Sequence, residues 1–392
     1  MRLSQDTELD LLRQRVRALA AEHAPRLHTR TGVRAPEAHE IPALREWTAR
    51  LFSEGLLGVH WPVDYGGLPD PHPLHESVVS EELIRAGAPG PVGGGLLAAS
   101  AIIDFGTTAQ KDFFLPRIRS GEDIWCQLFS EPEAGSDLAS LRTRARRDGD
   151  CWVVDGQKVW TTNGQHADWG YLLARTDPEA EKHGGITAFA LDMRTPGVTV
   201  RPLREITGTC DFNEVFLDAV RIPADRAIGA VNRGWAVTTA SLARERSGAG
   251  SGVALFGALE RLLRLARHVR RDGTPVIERD DVRQAIGGFV ADVHVNSLVS
   301  AFGESRLLHG SGDAGDAAIS KILFSEVNLA LHEYGMTLQD HAGVRTEGDP
   351  QALDEGWWQD AFLYARAFTI AGGTNEVLRN VIAERALGLP RG

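Results

Sequence analysis

The chain has 392 residues, 43% of them hydrophobic and 24% charged, with a formal net charge of −11. That composition excludes disorder as the default and argues against nucleic acid as a main partner, because phosphate binding depends on clustered Lys and Arg. No segment approaches the roughly 18 apolar residues of a membrane span, and Asp6, Glu8 and Asp10 stand where a leader would carry basic residues, so a cytoplasmic protein is expected with no membrane partner.

In chain order, Leu9, Leu12, Val16 and Leu19 recur at helical spacing, and a second amphipathic run covers Ile41 to Leu57. Trp61-Pro-Val-Asp-Tyr-Gly-Gly67 breaks the pattern, and helices resume over Leu74 to Arg85 and Leu96 to Phe105. Between them, Gly90-Pro-Val-Gly-Gly-Gly95 has no preceding strand and no acidic residue at ribose distance, so a turn or close backbone approach is expected there instead of a dinucleotide site. Cys126-Gln-Leu-Phe-Ser-Glu-Pro-Glu-Ala-Gly-Ser-Asp137 follows, small, polar and suited to holding a ligand, and after it the hydrophobic period changes to two. Trp152 to Trp160 reads as two short strands around an Asp155-Gly156 hairpin turn. Further strands are expected over Gly170 to Thr176, Gly185 to Met193, Val198 to Pro202 and Phe212 to Ile222, forming an antiparallel barrel or sandwich. Helices return from Trp235: Leu259 to Ala266 and Val282 to Val293 mark two faces, and two more helices cover Asp316 to Tyr334 and Trp357 to Leu387, a four-helix bundle. Cys126, Cys151 and Cys210 lack metal spacing and read as reduced core thiols; no metal site is expected.

The predicted fold class is thus α+β multidomain: an N-terminal α-helical domain (1–122), a middle β domain (123–228) and a C-terminal four-helix bundle (229–392). This plan resembles that of the acyl-CoA dehydrogenase family, and the motifs agree. Cys126 to Asp137 is similar to the family's flavin loop, Val159-Trp-Thr-Thr-Asn-Gly164 to its second flavin motif, Trp61 to Gly67 to its W-P-x-x-Y-G-G, and Thr369 to Val377 to its C-terminal G-G-T-x-E signature. The resemblance covers essentially the whole chain and implies FAD as cofactor, an acyl thioester as substrate, an electron-transfer flavoprotein as acceptor, and assembly as a homodimer or homotetramer, with a heteromer as the alternative.

Carried over residue by residue, it implies that Gln127, Phe129 and Ser130 face the pyrimidine side of the flavin, where reduction accumulates negative charge that fixed donors stabilise. Trp160 would pack on the ring, Thr162 would hydrogen-bond near N5, and Ser136 would contact the CoA part of the substrate. Gly373, Thr374 and Glu376 of the C-terminal signature would touch the cofactor.

Two departures from the family stand out. Many members carry Glu where this chain has Gly372, and glycine abstracts no proton. A non-catalytic partner subunit, a different reaction, and a base from elsewhere are the competing explanations. Isovaleryl-CoA and some bacterial steroid-side-chain dehydrogenases resemble the third case, with Glu before Arg on the first bundle helix, and Glu245-Arg246 stands at that place, Arg246 on the substrate side. A Glu between two Arg on a helix is ordinarily a solvated ion pair. However, Gly248, Gly250 and Gly252 follow in an expected helix, each costing about 0.5–1 kcal/mol relative to Ala, which invites close packing or room for a bulky acyl group. The implied reaction is α,β-dehydrogenation, with Glu245 removing the α proton as hydride passes to flavin N5 and the Gly372 N–H holding the thioester carbonyl. Second, the family's cross-subunit Arg-x-x-Phe-Gly reads Val269 and Asp272-Gly273 here, leaving Arg267, Arg270 or Arg271 to supply the charge, while Gln339-Asp-His-Ala-Gly343 stands for Gln-x-x-Gly-Gly, whose Gln339 and Gly343 would reach FAD. Rival readings keep the chemistry on a carrier-protein-bound acyl chain, make the chain a scaffold for an active partner, or make it an oxidase.

Overall fold

The computed structural model describes residues 6–27, 30–246, 251–312 and 314–390. They form two compact units, one spanning 1–27 and 33–249 and the other 28–32 and 250–392.

The first unit opens with α1 (Thr7–His23), whose Asp6 cap accepts from the N–H groups of Glu8 and Leu9. Then come α2 (Ile41–Ser53), α3 (His75–Ala86), α4 (Gly95–Phe105) and α5 (Thr108–Arg119). The glycine loop before α4 makes the close approach its sequence suggests. Gly94 N–H donates to the Trp125 carbonyl at 2.6 Å, and a Cβ on Gly93 would stand 2.7 Å from that same oxygen. α5 was not anticipated, although Thr107 and Gln110 close a capping box that announces it.

Eight strands follow: β1 (Trp125–Leu128), β2 (Arg144–Asp148), β3 (Cys151–Lys158), β4 (Trp169–Arg175), β5 (Ile186–Asp192), β6 (Val198–Leu203), β7 (Phe212–Pro223) and β8 (Ala227–Ile228). They make one sheet in the order β6-β7-β3-β2-β4-β5-β8 with β1 added beside β4. Pairing is antiparallel except for β1 with β4 and a single β2–β4 pair, Arg144 with Arg175. Alternate residues of β4 enter different cores, Tyr171 and Leu173 with the helices, Leu172 and Ala174 with Trp152 and Phe189 of the sheet. Trp125 and Trp169 stack with centroids 5.9 Å apart, Phe114 of α5 meets both edge-on, and the Arg226 guanidinium lies 5.2 Å over Trp169. α6 (Gly234–Arg246) packs on α4 and β5.

The expected hairpin at Asp155-Gly156 is not there. β3 runs straight through that dipeptide with a bulge between Val154 and Gly156, and the turn lies earlier, at Gly149 with φ 62°. Asp155 Oδ1 accepts from Ala219 N–H across the sheet, and a Cβ on Gly156 would meet Thr143 Oγ1 at 2.4 Å. The pair therefore serves strand contact, not chain reversal.

The second unit contains α7 (Ser251–His268), a small hairpin of β9 (Arg270–Arg271) and β10 (Thr274–Pro275), α8 (Asp280–Leu308), α9 (Ala314–Gln339), α10 (Trp357–Ile370) and α11 (Asn375–Val381). α7, α8 and α9 pack together with α10 on α9, around Leu262, Ala266, Val293, Leu331 and Trp358. The single helix expected from Trp357 to Leu387 is broken at Ala371–Thr374, where Gly372 and Gly373 take φ 66° and 95°. By length and composition α8 alone among the described helices is apolar enough to cross a membrane, although Asp292, His294 and Asn296 interrupt its apolar run. Of the cysteines, only Cys126 is in the core, its thiol pushed up to about 12 by burial, while Cys151 is half-buried and Cys210 exposed.

Candidate active site

The two polar motifs of the middle region lie on adjoining loops, one at the end of β1, which pairs with β4, the other at the end of β3, which pairs with β2 and β7. β1 delivers Phe129 and Ser130, β3 delivers Val159 to Asn163, and Val159 N–H donates to Ser130 O at 2.9 Å. On its far side the second loop is fastened to β7, Thr161 exchanging both backbone bonds with Asn213 at 3.0 Å. Between these anchors Trp160 is forced to φ 60° with its indole 60% exposed and set edge-on to Phe212 at 5.9 Å. A bulky residue in the left-handed region costs on the order of 1–3 kcal/mol and persists only where its surroundings over-determine it. Asn163 has φ 60° as well.

Beneath the loops is a buried ion pair that sequence reasoning missed. Lys158 Nζ, fully buried, donates to Glu131 Oε1 at 2.8 Å and to the Phe129 carbonyl at 3.0 Å. Glu131 also accepts from the backbone N–H groups of Arg142 (2.6 Å) and Thr143 (2.8 Å). Burial pushes the Lys158 ammonium down to about 8 against the pull of Glu131. Burial alone would raise the Glu131 carboxyl, but the Lys158 charge and the hydrogen bonds outweigh it and hold it below its ordinary value. The available signal was a lysine ending a strand immediately before the apolar Val159 and Trp160.

Gln127 and Ser136 are exposed, Ser130 and Thr162 half-buried, and Phe129 buried with its ring edge-on to Tyr171 at 4.8 Å. Glu245 and Arg246 end α6, but their side chains lie outside the described residues, as do Gly248 and Gly250. Gly252 is the second residue of α7, where an added Cβ would sit 3.7 Å from Ser297 Cα, an ordinary contact, so packing does not require glycine there.

In the second unit the Gly372-Gly373 turn is pinned from α9: Lys321 Nζ donates to Gly373 O at 2.8 Å and to Asn375 Oδ1 at 3.0 Å, and Ser325 Oγ donates to the same Oδ1. Thr374 caps α11, accepting from Val377 N–H. Its own backbone N–H, foremost, holds the exposed Glu376 carboxyl below its usual range. Gly372 is glycine for its backbone, since a Cβ there would meet nothing within 4 Å. Gln339 is buried and turned back on its own helix, donating to Gly335 O, and a Cβ on the buried Gly343 would stand 3.0 Å from Met336 O. Asp272 and Gly273 form the β9–β10 turn with φ 52° and 81°, leaving Arg267 and Arg270 exposed and Arg271 half-buried.

The first-unit loops suit a planar, polar ring system. They offer an exposed indole face at Trp160, the Thr162 hydroxyl, and buried Oγ1 of Thr161 and Oδ1 of Asn163 that have no partner among the described residues. The hydroxyl donors, the amide acceptor and the aromatic platform fit the isoalloxazine of FAD.

Comparison with known proteins agrees. Family models for the N-terminal, middle and C-terminal domains of acyl-CoA dehydrogenases match residues 6–122, 126–220 and 232–387. Acyl-CoA dehydrogenase FadE34 of Mycobacterium tuberculosis is 41% identical over 90% of this chain, which spans about half (47%) of its length. Acyl-CoA dehydrogenase IpdE1 of the same organism is 40% identical over 88% of both. Among solved structures, a steroid enzyme, Tcur3481-Tcur3483, superposes with TM-score 0.87 at 30% identity over 100% of both chains, and the ChsE4-ChsE5 complex of Mycobacterium tuberculosis with 0.85 at 31% over 100% of both. Matched in all three domains and along its whole length, this chain belongs to the acyl-CoA dehydrogenase family of FAD-dependent oxidoreductases.

Proposed function

We propose that the acyl-CoA dehydrogenation of this family is carried out here with Glu245 as base, on a thioester bearing a bulky, steroid-type acyl group. The carrying observation is Gly372: the turn that holds the base in many relatives has a left-handed backbone and no side chain. Glu245, on the last turn of α6, is the carboxylate that stands in for it. Likeness to a steroid acyl-CoA dehydrogenase over the full chain supports the acyl class. FAD, when bound, supplies the two-electron acceptor. Gln127, Phe129 and Ser130 face its pyrimidine edge, Trp160 packs on the ring, and Thr162 hydrogen-bonds beside it. Gln339, Gly343, Gly373, Thr374 and Glu376 belong to the rest of the cofactor. Ser136 and Arg246 serve the substrate, and the Gly372 N–H polarises the thioester carbonyl so that Glu245 meets an acidified α proton.

In this proposal the chain carries three domains at 1–122, 123–228 and 229–392, works in the cytoplasm and passes its electrons to an electron-transfer flavoprotein. It also includes an oligomer joined through α8, whose Val295, Leu298 and Phe302 are 48%, 54% and 57% exposed. The structural relative named as the ChsE4-ChsE5 complex makes a heteromer the first assembly to look for.

A positioned base is worth typically ~10²- to 10⁴-fold. Glu245→Gln is therefore expected to keep FAD and its spectrum while losing at least ~10²-fold in turnover. Full activity in that variant removes the assigned base. Anaerobic bleaching of the flavin by straight-chain but not steroid-type acyl-CoA removes the assigned acyl class.

A further inference from the structure

We propose that the buried Glu131–Lys158 pair is a positioning device that aims the Ser130 N–H at the flavin, an inference that rests on the placement of the ring against Ser130 and Trp160 given above. A fully buried lysine is rare unless paired. Replacing such a pair by apolar side chains is often neutral for stability, so stability alone does not account for it.

What the pair does account for is direction. Lysine has three donors on one nitrogen. In Lys158 one of them is given to the Glu131 carboxylate and another to the carbonyl of Phe129. The carboxylate is itself immobilised by the Arg142 and Thr143 N–H groups, so the ammonium has a fixed seat. In a planar trans peptide the C=O and N–H point opposite ways. Drawing the Phe129 carbonyl inward to Lys158 therefore turns the N–H of Ser130 outward, and that N–H has no partner among the described residues. The next peptide is fixed by Val159 N–H on Ser130 O. Two successive peptides of the first loop are thus oriented by residues 158 and 159, immediately before Trp160. One short segment sets both the aromatic platform and the donor at the ring's edge. A donor fixed in advance stabilises charge that develops on reduction without reorganising at that moment.

The test uses the full chain loaded with FAD and compares the wild type with the double variant Glu131→Gln/Lys158→Met, which removes both charges together. FAD affinity is read by titration and the two-electron midpoint potential by equilibration with reference dyes. The double variant is expected to lose about tenfold of its preference for reduced over oxidised flavin, a midpoint about 30 mV lower, which a merely structural role would leave in place. If the double variant does not fold, Lys158→Arg keeps the charge, displaces the donor and is expected to lower the midpoint in the same direction. Trp160→Ala separates this inference from its foundation. If Trp160→Ala alters the flavin spectrum or affinity while the 131/158 variants keep the wild-type midpoint, the positioning role is overturned and the flavin site stands. If neither substitution moves any flavin property, the site itself is misplaced and the inference falls with it.

Discussion

Acid is expected to loosen the helical bundle through one imidazole. His332 on α9 is 1% exposed, with Nδ1 against the Asn328 carbonyl at 2.6 Å and the rings of Trp357 and Trp358 at 5.2 and 5.9 Å. The carbonyl accepts, so Nδ1 carries the proton, and Nε2 is left without a partner among the described residues. A second proton would charge a ring enclosed by apolar neighbours, and burial accordingly pushes its pKa down to about 4 from 6.5. In the unfolded chain the same ring protonates near its ordinary value, so unfolding takes up a proton between these limits. Stability from this group is complete above about pH 6.5 and is lost as pH falls toward 4. At pH 5 the loss amounts to about 2 kcal/mol. Urea unfolding followed by tryptophan fluorescence at pH 7, 6 and 5, for the wild type and His332→Gln, isolates it. Every other acid-sensitive group is common to both proteins, and any packing penalty of the variant is independent of pH. The wild type should lose about 2 kcal/mol more than the variant between pH 7 and 5. Parallel losses would refute the assignment.

Two further substitutions test packing and capping. Gly335→Ala would place a Cβ 2.2 Å from Cε3 of Trp358, a ring that is itself buried and cannot retreat, so overpacking of about 1–3 kcal/mol and a lower melting temperature are expected. Thr107→Ala removes the cap of α5 and is expected to cost about 1 kcal/mol in chemical denaturation, with Thr107→Ser close to wild type.

The long amphipathic helices and the β-branched strands were legible because their periodicity is local. Asp155-Gly156 misled because a turn signal and a close strand approach make the same demand, a residue without Cβ, and only the partner at Thr143 distinguishes them. The break at Gly372-Gly373 was hidden inside a helical pattern, since the apolar spacing resumes at Leu378 once α11 begins. Cys151 and Cys210 show the limit of composition: thiols are usually buried, but Cys151, the first residue of β3, is only half-buried and Cys210 is exposed. The motif residues of the candidate site were readable as a resemblance. The Glu131–Lys158 pair was not, because its partners are separated in sequence and meet only through the sheet.

The parallel pairing of β1 with β4 also bears on the time course of folding. Trp125 can find Trp169 only after β2, β3 and the loop carrying Trp160 have been synthesised and closed. Non-local, parallel contacts of this kind form late. Ser130 and its loop hang from the end of β1, so they acquire their place in the same event that seats Trp160. A lesion at the β1–β4 seam would therefore delay the arrival of cofactor-binding competence and, because Trp125, Trp169, Tyr171 and Leu173 share one core with the N-terminal helices, the closing of that core as well.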